Sequence, residues 1–411
     1  MNGSTGADGA RTIHLLRMSD HALAVAAAMR HFDIAAEALP PPDDESLALG
    51  TAHCRGNECL PCLLTTGDML KACREPGFDS DRSVFFMPTG SGPCRFGQYN
   101  VLQRAILDAE GHEGVGLITS SADDSYRLFG EHPTRLRMLS WQALSAVDLL
   151  TKVLHEYRPY EVRTGESDTA YEASLVELVE AVEAGGGRRL VGALESAAHR
   201  FGDVAVDRSE SKPLVAILGE IYVMLNARAN LNIIRSVEAL GGEVMLGTFM
   251  DWLYFVDWRR RDLSFRFGRY RESFKAWLSD LYQHAVERRL LKPVAPLLRL
   301  PVEEPVAKVV KRLDGLYDPV LGTEAVLTIA RIVELADHGV LAGAVNILPF
   351  SCLPGLIVNC MGPSVRDAAG GVPWLDVACD GQKETNLNTR LEAFMHQARE
   401  FHLQQSRPVS A

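Results

Sequence analysis

Two cysteines occupy the same tripeptide, Cys59-Leu60-Pro61 and Cys352-Leu353-Pro354, and a third follows a proline in Pro93-Cys94-Arg95-Phe96. The residues after each cysteine read as the start of a helix. Proline suits a first helical turn, where its missing N–H costs nothing. Strand patterns that end in proline, residues 83–88 and 344–349, precede Cys94 and Cys352. Strand, short loop, cysteine, helix is a way to aim a thiolate out of a sheet edge. Thiolates gathered at helix N-termini suit an anionic metal cluster, because the helix dipole favours negative charge there.

The first cysteines form the run Cys54-Arg55-Gly56-Asn57-Glu58-Cys59-Leu60-Pro61-Cys62. Cys59 and Cys62 are three apart and can face one site. Zinc competes for such a pair, but Cys352 and Cys360 are spaced too widely to supply a second one. A redox dithiol also competes, although it leaves Cys94 and Cys352 unexplained. Three cysteines at separate helix starts fit a cubane iron–sulfur cluster with one iron open to a substrate oxygen. The expected ligands are Cys59, Cys94 and Cys352, with Cys62 and Cys54 as extra cluster-binding thiols. Cys73, Cys360 and Cys379 are expected to be small core residues. Around the mouth, Arg95 and Gln98 offer hydrogen bonds to sulfide or ligand. Glu58 reads as a general base or as an exposed cap. Glu220 follows a strand, where ligand crevices open in α/β sheets, and a capping role competes there too. The expected catalytic residues are thus Glu58, Arg95 and Glu220.

Alternating strand and helix patterns must position these groups. Residues 83–87 and 115–120 predict strands, and 99–109 predict a helix with Leu102, Ala105, Ile106 and Ala109 on one side. That β-α-β unit implies a parallel sheet. Helices are expected over 141–157, 169–184 and 190–201, with Gly185-Gly186-Gly187 as a helix–helix turn rather than a phosphate loop. A second β-α-β unit runs through strand 214–218, helix 226–240 and strand 243–246. Helices follow over 250–340, late strands at 345–348 and 375–378, and a last helix over 388–401 with Leu391, Phe394, Met395 and Ala398 inward. The predicted fold is α/β, with two Rossmann-like (flavodoxin-like) parallel-sheet lobes carrying helical insertions. Its expected divisions are an N-terminal extension over 1–45, disordered at its start, a first lobe over 46–210 and a second over 211–411.

A chain of 411 residues is too long for one ordinary core. A charged fraction of 23% and 47% hydrophobic residues are those of a soluble globular protein. The net charge of −11 argues against a general nucleic-acid or anionic-membrane partner. The apolar run 22–29 is too short to span a bilayer and lacks a basic leader, so a cytoplasmic location is expected. Eight cysteines in that compartment do not suggest a disulfide framework. The arginine-rich, aromatic stretch from Trp258 to Arg271 reads first as a solvated helical face turning at Gly268. A docking patch for an acidic partner or nucleotide-like ligand ranks second.

Several of these motifs together resemble one family. Gly56-Asn57-Glu58-Cys59-Leu60-Pro61-Cys62, Phe85-Phe86-Met87-Pro88 and Gly92-Pro93-Cys94-Arg95-Phe96-Gly97-Gln98-Tyr99 are similar to iron–sulfur proteins related to 2-hydroxyacyl-CoA dehydratase and its activase. So are Arg158-Pro159-Tyr160-Glu161, Gly219-Glu220-Ile221-Tyr222, Pro349-Phe350-Ser351-Cys352-Leu353-Pro354-Gly355 and the ending from Asp380-Gly381-Gln382 through Thr389-Arg390-Leu391. The resemblance spans about residues 45–400. It implies Rossmann-like lobes around a cysteine-held cluster, a [4Fe–4S] cubane by preference and a double cubane as the alternative. It implies a separate ATP-hydrolysing activase as electron donor, and an acyl-CoA as substrate of a lyase or reductase component. No phosphate-loop pattern is present, which places the ATPase on another chain. The alternatives are a non-catalytic electron relay or scaffold for the activase, and a zinc-stabilised structural protein.

Overall fold

A computed structural model of the chain describes residues 11–90, 94–119, 132–300, 303–382 and 386–405. Most of the expected N-terminal tail, and the Gly92-Pro93 step before Cys94, lie outside them. The chain divides into two compact units, one of residues 1–144 and 177–190, the other of 145–176 and 191–411.

The first unit contains β1 (Thr12–Leu15), α1 (His21–Arg30), β2 (Ala36–Ala38), α2 (Asp44–His53), α3 (Leu60–Arg74), β3 (Ser83–Phe86), α4 (Tyr99–Ala109) and β4 (Gly116–Ile118). Its sheet is parallel throughout, in the order β2-β1-β3-β4. The first two strands come from residues 12–38, so the sheet begins well ahead of residue 46, where the sequence placed the lobe boundary. The pattern there is weak for a physical reason. β1 is four residues long and carries His14 in its middle, and that imidazole is buried against Phe78 and Phe85, ring centroids 5.9 and 5.7 Å away. The core packs Phe85, Met69, Leu70 and Leu107 around Cys59 and Cys62.

Three helices, α5 (Pro133–Tyr157), α6 (Glu166–Glu183) and α7 (Arg188–Gly202), each contribute residues to both units. Gly185, Gly186 and Gly187 all take positive φ and form the expected helix–helix turn.

The second unit holds β5 (Leu214–Gly219), α8 (Ile221–Leu225), α9 (Ile233–Ala239), β6 (Glu243–Leu246), α10 (Phe249–Arg266), α11 (Tyr270–Val294), α12 (Val306–Val309), α13 (Ala325–Asp337), β7 (Leu341–Pro349), α14 (Leu353–Ala368), β8 (Trp374–Cys379) and α15 (Leu387–Gln405). Its sheet runs β6-β5-β7-β8, again all parallel. Each sheet therefore repeats one topology, second-first-third-fourth, as α/β folds with a crevice between first and third strands do. The helix expected over 226–240 is broken. Asn226 turns its Oδ1 to the Ala229 N–H at 2.9 Å, Asn230 Nδ2 reaches the Met224 carbonyl, and Leu231 and Asn232 take left-handed conformations. Asparagine side chains that bond nearby backbone compete with the helix ladder, and they win here.

α2 and α3 meet backbone to backbone. A Cβ on Gly50 would lie 1.9 Å from the Leu63 carbonyl oxygen, and one on Gly67 1.7 Å from that of Ser46. Only glycine permits this approach. α2 is also capped by Asp43, whose side chain accepts the Ser46 N–H at 3.0 Å and pairs with Lys71 of α3. Gly67→Ala must push the two helices apart and should destabilise the first unit by about 2 kcal/mol. Urea unfolding of the variant beside the wild type measures this.

Candidate functional site

The α2–α3 contact carries the first cysteines. Cys54 is the C-cap of α2 and Cys59 the N-cap of α3, with Pro61 in its first turn. Cys62 lies in that turn, and the Cys54 and Cys62 thiols hydrogen-bond to each other. Their titrations separate. The bond to Cys62 pulls Cys54 below the usual thiol value, whereas that bond and burial push Cys62 up. The loop between them is closed by Glu58, whose Oε2 accepts the Asn57 N–H at 3.0 Å. Glu58 stands one residue before the N-cap of α3, and this bond lies within the loop rather than on either helix end.

Cys94 reaches this loop from β3. It is the N-cap of a 3-10 turn, Arg95–Gln98, that runs into α4. The Arg95 guanidinium donates to the Asn57 carbonyl, which ties the Cys94 turn to the residues just before Cys59. Arg95 therefore stitches the loop rather than simply extending into a mouth. Below it, buried Gln103 of α4 donates to Thr65 Oγ1 of α3 at 3.0 Å, and Phe96 packs on the core that holds Cys59 and Cys62. The turn that begins at Cys94 is thus tied to the segment that carries Cys54, Cys59 and Cys62.

Cys352 is the N-cap of α14 in the second unit, after β7, and is buried. The helix-start expectation holds for all three cysteines. None of the three sulfurs accepts a capping hydrogen bond. At Cys59 the Cys62 and Leu63 N–H groups both donate to the Cys59 carbonyl, at 2.8 and 3.2 Å, and Pro61 has no N–H to offer. Any favour to charge there comes from the helix field. Cys73 packs partly buried on the first core with its thiol pushed up to about 12 by burial, and Cys379 is buried at the end of β8. Cys360 departs from the core expectation, being exposed on α14.

In the second unit the crevice between β5 and β7 presents Glu220. It caps α8, accepting the Tyr222 and Val223 N–H groups at 3.2 and 2.9 Å, while its own N–H donates to the Ile347 carbonyl. Burial pushes its carboxyl up to about 7. Glu324, before α13, interacts with it electrostatically, and burial plus the charge of Glu220 pushes Glu324 up to about 8. Glu324 Oε1 accepts the Trp252 indole N–H at 2.7 Å. Burial, together with the charge of Glu220 on Glu324, thus lifts the titration of both carboxyls into the neutral range. The motif at Arg158 serves as framework. Arg158 pairs with Glu238 through two bonds of 2.8 and 2.7 Å, Tyr160 OH donates to Glu243 at 2.8 Å, and Glu161 accepts the Gly165 and Ser167 N–H groups.

One group of metal-ligating residue types, Glu304, Glu334 and His338, brings its ligand atoms within 4.8 Å of one another. Its carboxylates are already neutralised by Lys308, Arg312 and Arg331, so it reads as an ion-pair network. Among the described residues no three thiols come that close. Tetrahedral zinc with Zn–S of about 2.3 Å needs sulfurs roughly 3.8 Å apart. A cubane, whose ligands sit on separate irons, takes thiols set wider. Among the described residues no helix is long and apolar enough to cross a membrane.

No protein-family model matches the chain, and no curated protein sequence matches it.

The raised Glu220 and Glu324 set the sign of a pH dependence. The folded unit holds protons that the unfolded chain releases above about pH 4.3. This contribution to stability is complete below that value and is lost as pH rises through about 7 to 8. Glu324→Gln, neutral at every pH and still an acceptor for Trp252, should stabilise the protein at pH 8.5 by on the order of 2 kcal/mol and much less at pH 5. Thermal melts at the two pH values decide it; equal gains at both would contradict the assignment.

Proposed function

We propose that the chain is an iron–sulfur component of an ATP-dependent 2-hydroxyacyl-CoA dehydratase or reductase type of system, receiving low-potential electrons from a separate activase. The observation that carries this reading is the tie of the Cys94 turn, through Arg95 and the Asn57 carbonyl, to the loop holding Cys54, Cys59 and Cys62. Bound there, a cluster would supply one-electron transfer at a potential set by its surroundings. The thiols would ligate as thiolates. Cys54, the more acidic of the bonded pair, gives up its proton first. The start of α3 places the positive end of a 15-residue helix at Cys59. Phe96 and the packed core shield one side from water. The activase, and an acyl-CoA as the final electron acceptor, are supplied by the family resemblance.

Four thiols in one unit favour a relay over a lyase within that system. Four ligands saturate a cubane, leaving no iron open to a substrate oxygen. On this reading Glu58, Arg95 and Glu220 hold structure, not substrate.

Protein purified without oxygen should be brown and contain iron with acid-labile sulfide. Replacing Cys54, Cys59, Cys62 or Cys94 singly by Ser should bleach it or change its EPR spectrum, whereas Cys352→Ser should retain its iron. Stoichiometric zinc without sulfide would sink the proposal. Loss of the cluster in Cys352→Ser would restore the three-thiol reading with Cys59, Cys94 and Cys352. Calorimetry with CoA esters separates the two roles, a relay giving no heat of binding.

A further inference from the structure

The antiparallel hairpin of α10 and α11 carries the largest run of exposed rings described in the molecule. Phe265, Phe267, Tyr270 and Phe274 are each more than half exposed, at 63%, 72%, 64% and 58%. The turn between the helices is made at Gly268, with φ of +71°. A groove of about 460 Å³ opens along the hairpin. On α10 its wall is Trp258, Arg261, Asp262 and Phe265, and on α11 it is Tyr270, Ser273, Phe274 and Trp277. Both sets fall at positions i, i+3, i+4 and i+7. They are the facing stripes of two helices, and among the described residues no third element covers them.

The groove is preformed. Ser273 Oγ donates to the Arg261 carbonyl at 3.2 Å, Gln283 Nε2 donates to Asp257 at 2.8 Å, and Tyr254 stacks on His284 with centroids 4.4 Å apart. These contacts lock the helices together below and beside the exposed rings. Phe274 and Trp277 stack within the wall at 5.7 Å.

The charge around the groove selects its occupant. Residues 258–281 carry seven basic and three acidic side chains, a local +4 in a chain of net −11. Two copies of such a tip repel each other, so symmetric pairing of hairpins is disfavoured. A bilayer is disfavoured too, because the wall on α10 holds Arg261 and Asp262, the latter paired with Arg266 at 2.7 Å, and such charges are costly among acyl chains. An amphipathic helix answers both conditions, its apolar stripe lying on the rings and its acidic flanks meeting Arg271 and Lys275 at the rim. The walls run seven residues along each helix, about 10 Å, which matches two turns of such a partner.

We propose that the groove between α10 and α11 is a docking site for an acidic amphipathic helix of a partner protein. It lies wholly in the second unit and stands independently of the cysteine site.

The test uses the full chain and two fluorescein-labelled helical peptides. Both carry Leu and Phe at i, i+3, i+4 and i+7; one has Glu on its flanks and the other Lys. Anisotropy should show the Glu peptide binding at least about tenfold more tightly than the Lys peptide, with affinity falling as salt is raised. Phe274→Ala should weaken it at least about tenfold, since an exposed ring at the centre of the groove would be the anchor. The double charge reversal Arg271→Glu, Lys275→Glu should invert the peptide preference. All three residues are exposed, and melts of the variants should match the wild type. Equal binding of both peptides, or none up to about 1 mM, overturns the proposal. So does binding to phosphatidylcholine–phosphatidylglycerol vesicles in place of the peptide, or a concentration-dependent dimer that Phe274→Asp abolishes.

Discussion

The first unit depends on two glycines. Gly50 and Gly67 let α2 and α3 approach until each backbone touches the other's carbonyl oxygens. That contact sets where α2 ends and α3 begins, and hence where Cys54 stands against Cys62. Any side chain larger than hydrogen at either glycine must separate the helices. The bond between the two thiols would stretch, and the loop of Asn57 and Glu58 would lose the geometry that receives Arg95. The thiol chemistry is therefore a consequence of a packing decision made in the middle of two helices, about one to two turns from the cysteines it serves.

Polar groups organise the second unit differently. Arg331 is buried and pairs with Asp251 across two hydrogen bonds, with Glu334 on its other side. Burial of such a group is tolerated because both partners are held by good geometry. Glu220 and Glu324 have no cation of this kind among their dominant influences; burial and mutual repulsion prevail, partly offset by N–H donors. The outcome is a proton retained rather than an ion pair formed. A carboxyl pair at the β5–β7 crevice has the location expected of a ligand-binding edge. Its present partners, the α8 amides and the Trp252 indole, are structural ones.

Much of the fold was legible because it is written in local patterns. The helix over 99–109 has the predicted bounds, and Leu391, Phe394, Met395 and Ala398 of α15 are all buried as their spacing required. The cysteines at helix starts were legible from the proline that follows each Cys-Leu. What was not legible depends on distant neighbours. A histidine in the middle of β1 hides that strand until Phe78 and Phe85 are seen to cover it. Glu324 meets Glu220 only through the tertiary fold, and no spacing rule joins residues so far apart. Gly50 and Gly67 could have been suspected, since glycine in a helix interior costs stability and calls for a reason. Their partners could not have been named.

The two sheets share one strand order, and their third strands, β3 and β7, are each followed by a cysteine N-cap. The likeness ends at the neighbours. Cys94 is exposed at the start of a short 3-10 turn, and the bond from Arg95 ties that turn to the segment that carries three thiols. Cys352 is buried at the start of a full helix, after Ser351 in a left-handed conformation, with φ of +60°. A non-glycine residue held there stores strain that the surrounding packing must offset. Repetition of topology therefore delivers a thiol to the same place in each sheet without delivering the same chemistry. What decides the chemistry is how many other thiols the local helix packing brings alongside, and in the first unit that number is set by the approach of α2 to α3.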